Sequence, residues 1–171
     1  MMIDDAGITA QAIELFELCL KHNIEIATAE SCTGGLIAAC MTDMAGSSAV
    51  FERGFVTYSN QAKVEMLGVK PETLADFGAV SRETALEMAD GALVNSNASL
   101  SIAVTGVAGP SGGTAEKPVG LVHIAVNLDG DVVHQECRFG PLTRIEIRSE
   151  TVRRALEMST EMVRKVYLVD V

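Results

Sequence analysis

The spacing of apolar residues changes period along the chain, and each change predicts a switch between helix and strand. From about Ile8 to His22, apolar side chains return every three to four positions, which is typical of an amphipathic helix. Ile24 to Ala29 is then a short strand by the same criterion, and after a turn of small residues a second helix is expected from Leu36 to Met44. The residues expected on the buried side of the first helix are Ala12, Ile13, Phe16, Cys19 and Leu20.

The middle of the chain continues this alternation. β-Branched and aromatic residues predict a strand from Val50 to Tyr58. Asn60 is expected to cap a short helix that ends at Leu67, and Ser81 is expected to cap another that ends near Asn95. The apolar run from Leu100 to Val104 is typical of a strand that is covered on both faces.

The last third begins with a glycine-rich loop between Thr105 and Pro118. Asp129-Gly130 then predicts a hairpin between strands at 119–127 and 131–139. Thr143 and Glu146 have the spacing of a capping box at the start of a final helix. Its expected buried stripe is Ile145, Ser149, Val152, Leu156, Val163 and Val166.

Helices that alternate with strands, followed by a late hairpin, favour an α/β fold. We expect one domain over residues 1–171, built as a three-layer α/β/α sandwich with a mixed, mostly parallel sheet. In such sheets ligands bind beyond the carboxyl ends of the strands. The two unusual small-residue segments, at 30–35 and 105–118, both follow predicted strands, so the functional site is expected there.

Composition and charge narrow the choice of partners. The chain has 13 basic against 23 acidic residues, a net charge of −10, no Trp, 2 Tyr and 5 Phe, so nucleic acid is an unsuitable partner. An anionic small molecule remains compatible, because a nest of backbone N–H groups can hold a phosphate in an acidic protein. No apolar run approaches the ~18 residues of a membrane span. The aliphatic, glycine-rich composition favours a homo-oligomer.

The cysteines and the start of the chain indicate the compartment. The 4 cysteines form no C-x-x-C pair and have no histidines at zinc-ligand spacing, so we expect reduced thiols and no metal site. The first ten residues lack the basic and apolar regions of a signal peptide. Together these observations predict a cytoplasmic protein.

The segment Glu30-Ser31-Cys32-Thr33-Gly34-Gly35 is the first candidate for chemistry. A serine at a strand-to-helix turn projects its hydroxyl from the sheet edge, and the N–H groups that follow point into the same space. Such a turn suits a nucleophile and an anion equally well. It is also compatible with a purely structural turn, in which Thr33 caps the helix.

A serine nucleophile needs a base, and the three histidines are poorly placed. His22 lies at a helix end, and His123 and His134 lie on opposite arms of the hairpin. A desolvated lysine is the alternative, because burial lowers the pKa of an ammonium group. Lys63 follows the second strand and is the best-placed lysine, with Tyr58 available to orient or relay the proton. A solvated position on the helix face is the simpler interpretation of Lys63.

Two further features are candidates for substrate binding. The loop at 105–113 lets backbone N–H groups approach a ligand, although a flexible connection has the same composition. Arg144 and Arg148, at the start of the last helix, are able to bind a phosphate or to remain on an exposed helix face.

Several of these segments together resemble one known family. The motifs are T-A-E-S-C-T-G-G at 28–35, A-G-S-S from Ala45, F-E-R-G-F-V-T-Y-S-N from Phe51, Lys63, G-A-V-S at 78–81, and T-G-V-A-G-P-S-G-G-T-A-E-K-P-V-G from Thr105. In this order they are similar to the nicotinamide-nucleotide amidase family, also described as the CinA C-terminal domain. The resemblance runs from about residue 8 to 165 and is closest to the stand-alone form of the domain.

The resemblance implies an activity and a set of roles. The implied reaction is hydrolysis of the carboxamide of nicotinamide mononucleotide (NMN) to nicotinic acid mononucleotide and ammonia, a salvage step that needs no cofactor. Ser31 matches the nucleophile, Lys63 the base and Tyr58 a third polar member of the site. The matching substrate-binding positions are Cys32, Thr33, Gly34, Gly35, Thr105, Gly106, Ala108 and Gly109. Arg148 lies in the family's arginine-bearing start of the last helix, and we infer for it the role of a phosphate ligand.

The role of Glu30 and the function of the chain both have alternatives at this point. Glu30 is the nearest carboxylate for a cationic pyridinium ring, or else a hydrogen-bond acceptor within its turn. The same glycine loops also suit a non-catalytic nucleotide-binding or competence- and damage-related regulatory module, or an amidase for another carboxamide.

Overall fold

The structure, a computed structural model, describes residues 5–167 and contains one five-stranded sheet between two layers of helices. The ends of the predicted domain, 1–4 and 168–171, lie outside the described residues. The elements in chain order are α1 (Ala6–His22), β1 (Ile26–Glu30), α2 (Leu36–Thr42), β2 (Phe51–Val56), α3 (Asn60–Leu67), α4 (Pro71–Phe77), α5 (Arg82–Val94), β3 (Leu100–Gly106), β4 (Leu121–Leu128), β5 (Asp131–Arg138) and α6 (Arg144–Tyr167).

The sheet is mixed, as predicted. Its strand order is β2-β1-β3-β4-β5, with β1 parallel to both of its neighbours and β4 antiparallel to both of its own. β4 is therefore the one strand of the five that runs against the others. The carboxyl ends of β1, β2 and β3 meet at one edge of the sheet, where the segments that follow these strands converge.

The two faces of the sheet differ in side-chain size. Large aliphatic residues such as Ile26, Ile102 and Ile124 lie in the core that contains α1, α2 and α6. Alanines at the alternate positions, 27, 29, 103 and 125, lie in the second core with α5 and the end of α3. Because alanine is small, α5 lies close to the sheet, and the Ser101 hydroxyl donates to the Ala89 carbonyl of this helix at 2.8 Å.

The predicted caps and turns are largely confirmed. Ser81 accepts from the Thr84 N–H at the start of α5, and Glu146 accepts from both the N–H and the hydroxyl of Thr143. Asp129 and Gly130 both have positive φ, as the hairpin turn requires. The cap of α3 is Ser59 rather than Asn60, because the Ser59 hydroxyl accepts from the Ala62 N–H.

The predicted buried stripes of the first and last helices were partly wrong. Ile13 and Leu20 of α1 are exposed, whereas Ile8 and Leu15 are buried. In α6 the exposed residues include Ile145 and Val166. The reason in α6 is its mixed inner face: besides Val152, Leu156 and Val163, it buries small polar residues that an apolar pattern omits, namely Thr151, Ser159 and Thr160.

No helix within residues 5–167 combines the length and the apolar character needed to cross a membrane.

Candidate active site

The turn after β1 places Ser31 at the sheet edge. The Ser31 N–H donates to the Val104 carbonyl of β3 at 3.0 Å, which ties the end of β1 to its neighbour. Gly34 and Gly35 follow with φ values of 60° and 98°, a left-handed backbone conformation that glycine adopts readily. The chain therefore turns sharply into α2, and Ser31 lies half-buried on the wall of a cavity.

Glu30 has a structural role in the same turn. It is fully buried, and its carboxylate accepts from the Thr33 hydroxyl at 2.6 Å and from the N–H groups of Gly35, Ile37 and Ala38 at 2.9–3.1 Å. A carboxylate at the N-terminus of a helix is favoured by the free N–H groups and by the helix dipole. Glu30 does not line the cavity, so the alternative of a turn acceptor is the one that the geometry supports.

Lys63 contacts Ser31 directly. Its Nζ atom lies 3.0 Å from Ser31 Oγ and donates to the Thr57 carbonyl at 2.8 Å. The side chain is buried, with 1% of its surface exposed. Within the described part of the chain, no carboxylate lies within 4.0 Å of the Lys63 amine. Burial without a counter-ion lowers the pKa of Lys63, which favours the neutral amine that a general base requires.

Cys32, the neighbour of Ser31, is unsuited to act as the nucleophile. Burial raises the pKa of its thiol to about 12, so the reactive thiolate is scarce near neutral pH. The backbone N–H group of Cys32, in contrast, is a candidate for substrate binding. Among residues 5–167, no other residue accepts a hydrogen bond from the N–H groups of Cys32, Ala108 and Gly109, and all three residues line the cavity. These N–H groups are available to stabilise negative charge on a substrate.

The cavity measures about 300 Å³, at the lower end of the range for small-molecule sites. Ser31, Tyr58 and Lys63 form one wall of the cavity, and the loop after β3 together with Arg144 forms another. The loop is anchored where it leaves the sheet, since the Val107 N–H donates to the Leu121 carbonyl and the Val107 carbonyl accepts from the Gly120 N–H. No carboxylate from the described residues lines the cavity, and Arg144 is the lining residue that stays cationic when the Lys63 amine is neutral.

Tyr58 occupies a different place from the one expected of a proton relay. Its side chain is 61% exposed, and its hydroxyl accepts from Arg144 Nη2 at 2.6 Å. The contact between Ser31 and Lys63 is direct and needs no bridge. The group that orients the Lys63 amine is instead the Thr57 carbonyl, which sequence reasoning missed because a backbone atom has no side-chain signature.

The two candidate arginines are separated by their contacts. Arg148, the predicted phosphate ligand, donates from Nη2 to the Thr33 carbonyl at 2.8 Å and lies against Gly34, away from the cavity wall. Arg144 lines the cavity and donates from Nη1 to the Gly109 carbonyl at 2.8 Å. Arg148 therefore supports the turn, and Arg144 is the arginine within reach of a ligand.

The other predicted residues divide in the same way. Thr105, Gly106, Ala108 and Gly109 line the cavity, and the Thr105 hydroxyl donates to the Ala79 carbonyl at 2.7 Å. Thr33, Gly34 and Gly35 shape the turn without lining the cavity. The histidines stay apart from it: His123 Nδ1 and His134 Nε2 lie 3.0 Å from each other.

The structure is an α/β/α sandwich with a directly paired serine and lysine at the carboxyl edge of its sheet. Pairs of this kind occur on several unrelated folds, so the pair alone does not identify the family. Comparison with known proteins identifies the family. The model of the CinA C-terminal domain matches residues 9–163, and the chain belongs to this family.

Relatives and solved structures agree with this assignment. A competence/damage inducible protein from Agrobacterium tumefaciens, described as CihA, superposes with a TM-score of 0.90 at 56% identity and covers 92% of this chain and 96% of that one. A CinA superfamily protein from Escherichia coli gives a TM-score of 0.86 at 31% identity, with coverage of 95% and 94%. A relative from Acetivibrio thermocellus named as competence-damage inducible is 51% identical over 150 residues, 88% of this chain. The chain spans 36% of the length of that relative.

Proposed function

We propose that this chain is an amidohydrolase that converts NMN and water to nicotinic acid mononucleotide and ammonia. The observation that carries the proposal is the 3.0 Å contact between Ser31 Oγ and a buried Lys63 amine that has no carboxylate partner among the described residues. A lysine in this state gives up its proton more readily than a solvated lysine, and a serine hydrogen-bonded to the neutral amine is an activated nucleophile.

Acylation begins when neutral Lys63 takes the Ser31 proton as Oγ attacks the carboxamide carbon. The carbonyl oxygen becomes an oxyanion, and we assign its stabilisation to the free N–H groups of Cys32, Ala108 and Gly109, which line the same cavity as Ser31. One such donor typically contributes about 3–4 kcal/mol to the transition state. The protonated lysine then passes its proton to the departing nitrogen, the C–N bond breaks, and ammonia leaves an acyl ester on Ser31.

Deacylation repeats the same steps with water. Lys63, neutral again, takes a proton from a water molecule that attacks the ester carbon. The C–O bond to Ser31 breaks, Lys63 returns the proton to Oγ, and nicotinic acid mononucleotide leaves. The Thr57 carbonyl supports both half-reactions, because it keeps the Lys63 amine directed at Ser31.

The electrostatics of the cavity favour an anionic substrate over a simple carboxamide. The cationic Arg144 and no carboxylate of the described residues line the cavity, in a chain with a net charge of −10. A mononucleotide brings a phosphate that such a wall attracts. The cavity wall offers no carboxylate of the described residues to the cationic pyridinium ring of NMN. The phosphate of the same molecule balances the charge of the ring.

The test is ammonia release from NMN by the wild type and by Ser31→Ala and Lys63→Met. We expect turnover by the wild type and a loss of at least about 10³-fold in kcat for each variant, since both residues act in one chemical step. Ser47→Ala, which changes a serine of a short 3₁₀ turn away from the cavity, is the matched control and should retain full activity. A folded wild type that binds NMN without releasing ammonia would instead identify a nucleotide-binding module.

A further inference from the structure

Arg144 is the first residue of α6, and its guanidinium group joins two walls of the cavity. Nη1 donates to the Gly109 carbonyl in the loop after β3, and Nη2 donates to the Tyr58 hydroxyl at the end of the β2 wall. A guanidinium has five N–H donors, so three remain for a ligand. The group is therefore fixed in place but not saturated.

The partners of Arg144 are both uncharged. Within residues 5–167, no carboxylate lies within 4.0 Å of Arg144, Arg82 or Arg148, whereas the other five arginines each have a carboxylate partner. Of these three arginines, Arg144 is the one that lines the cavity. Its charge is therefore available to an anionic ligand in the cavity.

We propose that Arg144 is the specificity-determining residue of this site, that it binds the phosphate of a phosphorylated substrate, and that Tyr58 is the positioning residue that holds it for this task. This inference rests on the proposed amidase function for its choice of substrate. Arginine suits a phosphate because its planar fork donates two parallel hydrogen bonds. Tyr58 fixes the plane of the fork in advance, and this lowers the entropy lost on binding.

The two ends of the substrate are assigned to two different groups of lining residues. The carboxamide reaches Ser31 and Lys63, which are half-buried and buried, and the phosphate stays at the exposed rim with Tyr58 and Arg144. Arg148 does not serve this purpose, because it does not line the cavity.

The experiment compares NMN with nicotinamide riboside, which lacks the phosphate. For Arg144→Gln we expect kcat/KM for NMN to fall about 10- to 100-fold more than kcat/KM for the riboside, because the charged hydrogen bonds to the phosphate are lost with NMN alone. The lost bond to the Gly109 carbonyl affects both substrates alike, and the riboside measures that effect. Arg144→Lys keeps the charge but not the planar fork, so its kcat/KM for NMN should lie between the values of the wild type and Arg144→Gln. Arg164→Gln, twenty positions further along α6, is the control and should match the wild type with both substrates.

Tyr58→Phe separates positioning from proton relay. A positioning role raises KM for NMN about three- to tenfold, leaves kcat and its pH profile unchanged, and adds nothing to Arg144→Gln in the double variant. A fall in kcat with both substrates would overturn this role for Tyr58. Equal effects of Arg144→Gln on NMN and the riboside would overturn the role of Arg144.

Binding measurements keep this inference distinct from the reaction. In the Ser31→Ala background, calorimetry should give tighter binding of NMN than of the riboside, and Arg144→Gln should remove the difference. If the wild type releases no ammonia but this pattern holds, the amidase proposal fails and the phosphate site stands. If NMN and the riboside bind Ser31→Ala equally well, the phosphate site is overturned.

Discussion

The Lys63 amine and the Ser31 hydroxyl lie 3.0 Å apart, although 32 positions of the chain separate the two residues. Two parallel strands bring them together. β1 ends at Glu30 and β2 ends at Val56, and the register pairs these two residues. Ser31 follows the first strand directly, and the short helix after the second strand returns Lys63 to the same edge. The site is therefore a product of sheet register and of helix position.

The first prediction concerns the pH dependence of the rate. Because the Lys63 pKa is lowered and only the neutral amine accepts the serine proton, kcat/KM should rise tenfold per pH unit below that pKa and level off above it. The midpoint should lie below about 10.4, the value of an unperturbed lysine. Measurements start near pH 7, where the substrate phosphate has mostly passed its own pKa of about 6. A midpoint at or above about 10.4, or a kcat/KM that falls as the pH is raised over this range, would contradict a lysine base.

The second prediction concerns stability in Lys63→Met. The folded pKa of Lys63 is lower than the unfolded pKa, so the unfolded chain binds more protons in the window between them, and stability rises with pH there. The wild type should therefore gain free energy of unfolding relative to Lys63→Met as the pH is raised from 7 toward about 10. Urea denaturation at several pH values measures the difference.

The control for this comparison is Lys21→Met, which removes an exposed lysine of α1. The difference in free energy of unfolding between the wild type and Lys21→Met should stay constant over the same pH range. If the difference between the wild type and Lys63→Met also stays constant, Lys63 is not destabilised by burial, and the argument for a neutral base fails.

The third prediction concerns Glu30, whose carboxylate accepts four hydrogen bonds in the turn and the first residues of α2. Glu30→Gln replaces one acceptor oxygen by a donor that faces N–H groups, so the free energy of unfolding should fall by about 1–3 kcal/mol. The turn also carries Ser31, so kcat should fall with it. Glu161→Gln, an exposed change on α6, should alter stability by less than about 0.5 kcal/mol. If Glu30→Gln leaves the stability unchanged and weakens NMN binding, Glu30 contacts the substrate and does not support the turn.

The elements and the central pair were accessible to sequence reasoning, because each has a local signature. Alternating periods marked the strands and helices, and Ser81 and Thr143 marked two helix starts that the structure confirms. The small-residue turn at Ser31 and the position of Lys63 after β2 identified the pair now seen in contact.

The roles of Tyr58 and the two arginines were beyond that reasoning for a physical reason. Arg144 and Arg148 are four positions apart on one helix, so spacing alone places them on the same face. Their hydrogen-bond partners in the folded chain distinguish them: Arg144 binds the Gly109 carbonyl at the cavity, and Arg148 binds the Thr33 carbonyl of the turn. The contact between Tyr58 and Arg144 joins residues 86 positions apart. No local pattern encodes such a contact.

The last prediction concerns Gly91, a buried residue of α5. Alanine is preferred over glycine in a helix by about 1 kcal/mol, so helix propensity alone predicts that Gly91→Ala is stabilising. However, a Cβ atom at this position would lie 1.9 Å from the carbonyl oxygen of Leu67, the last residue of α3. The backbone of α3 would have to move, and we expect a net loss of about 1–3 kcal/mol in the free energy of unfolding.

The same change should lower kcat for NMN, because α3 carries Lys63 one turn before Leu67 and its displacement lengthens the contact with Ser31. Chemical denaturation and steady-state kinetics measure the two effects. Val94→Ala, at an 82% exposed position of α5, is the control and should change stability by less than about 0.5 kcal/mol with full activity. A stabilised, fully active Gly91→Ala would show that α5 and α3 are not in the close contact on which the position of Lys63 depends.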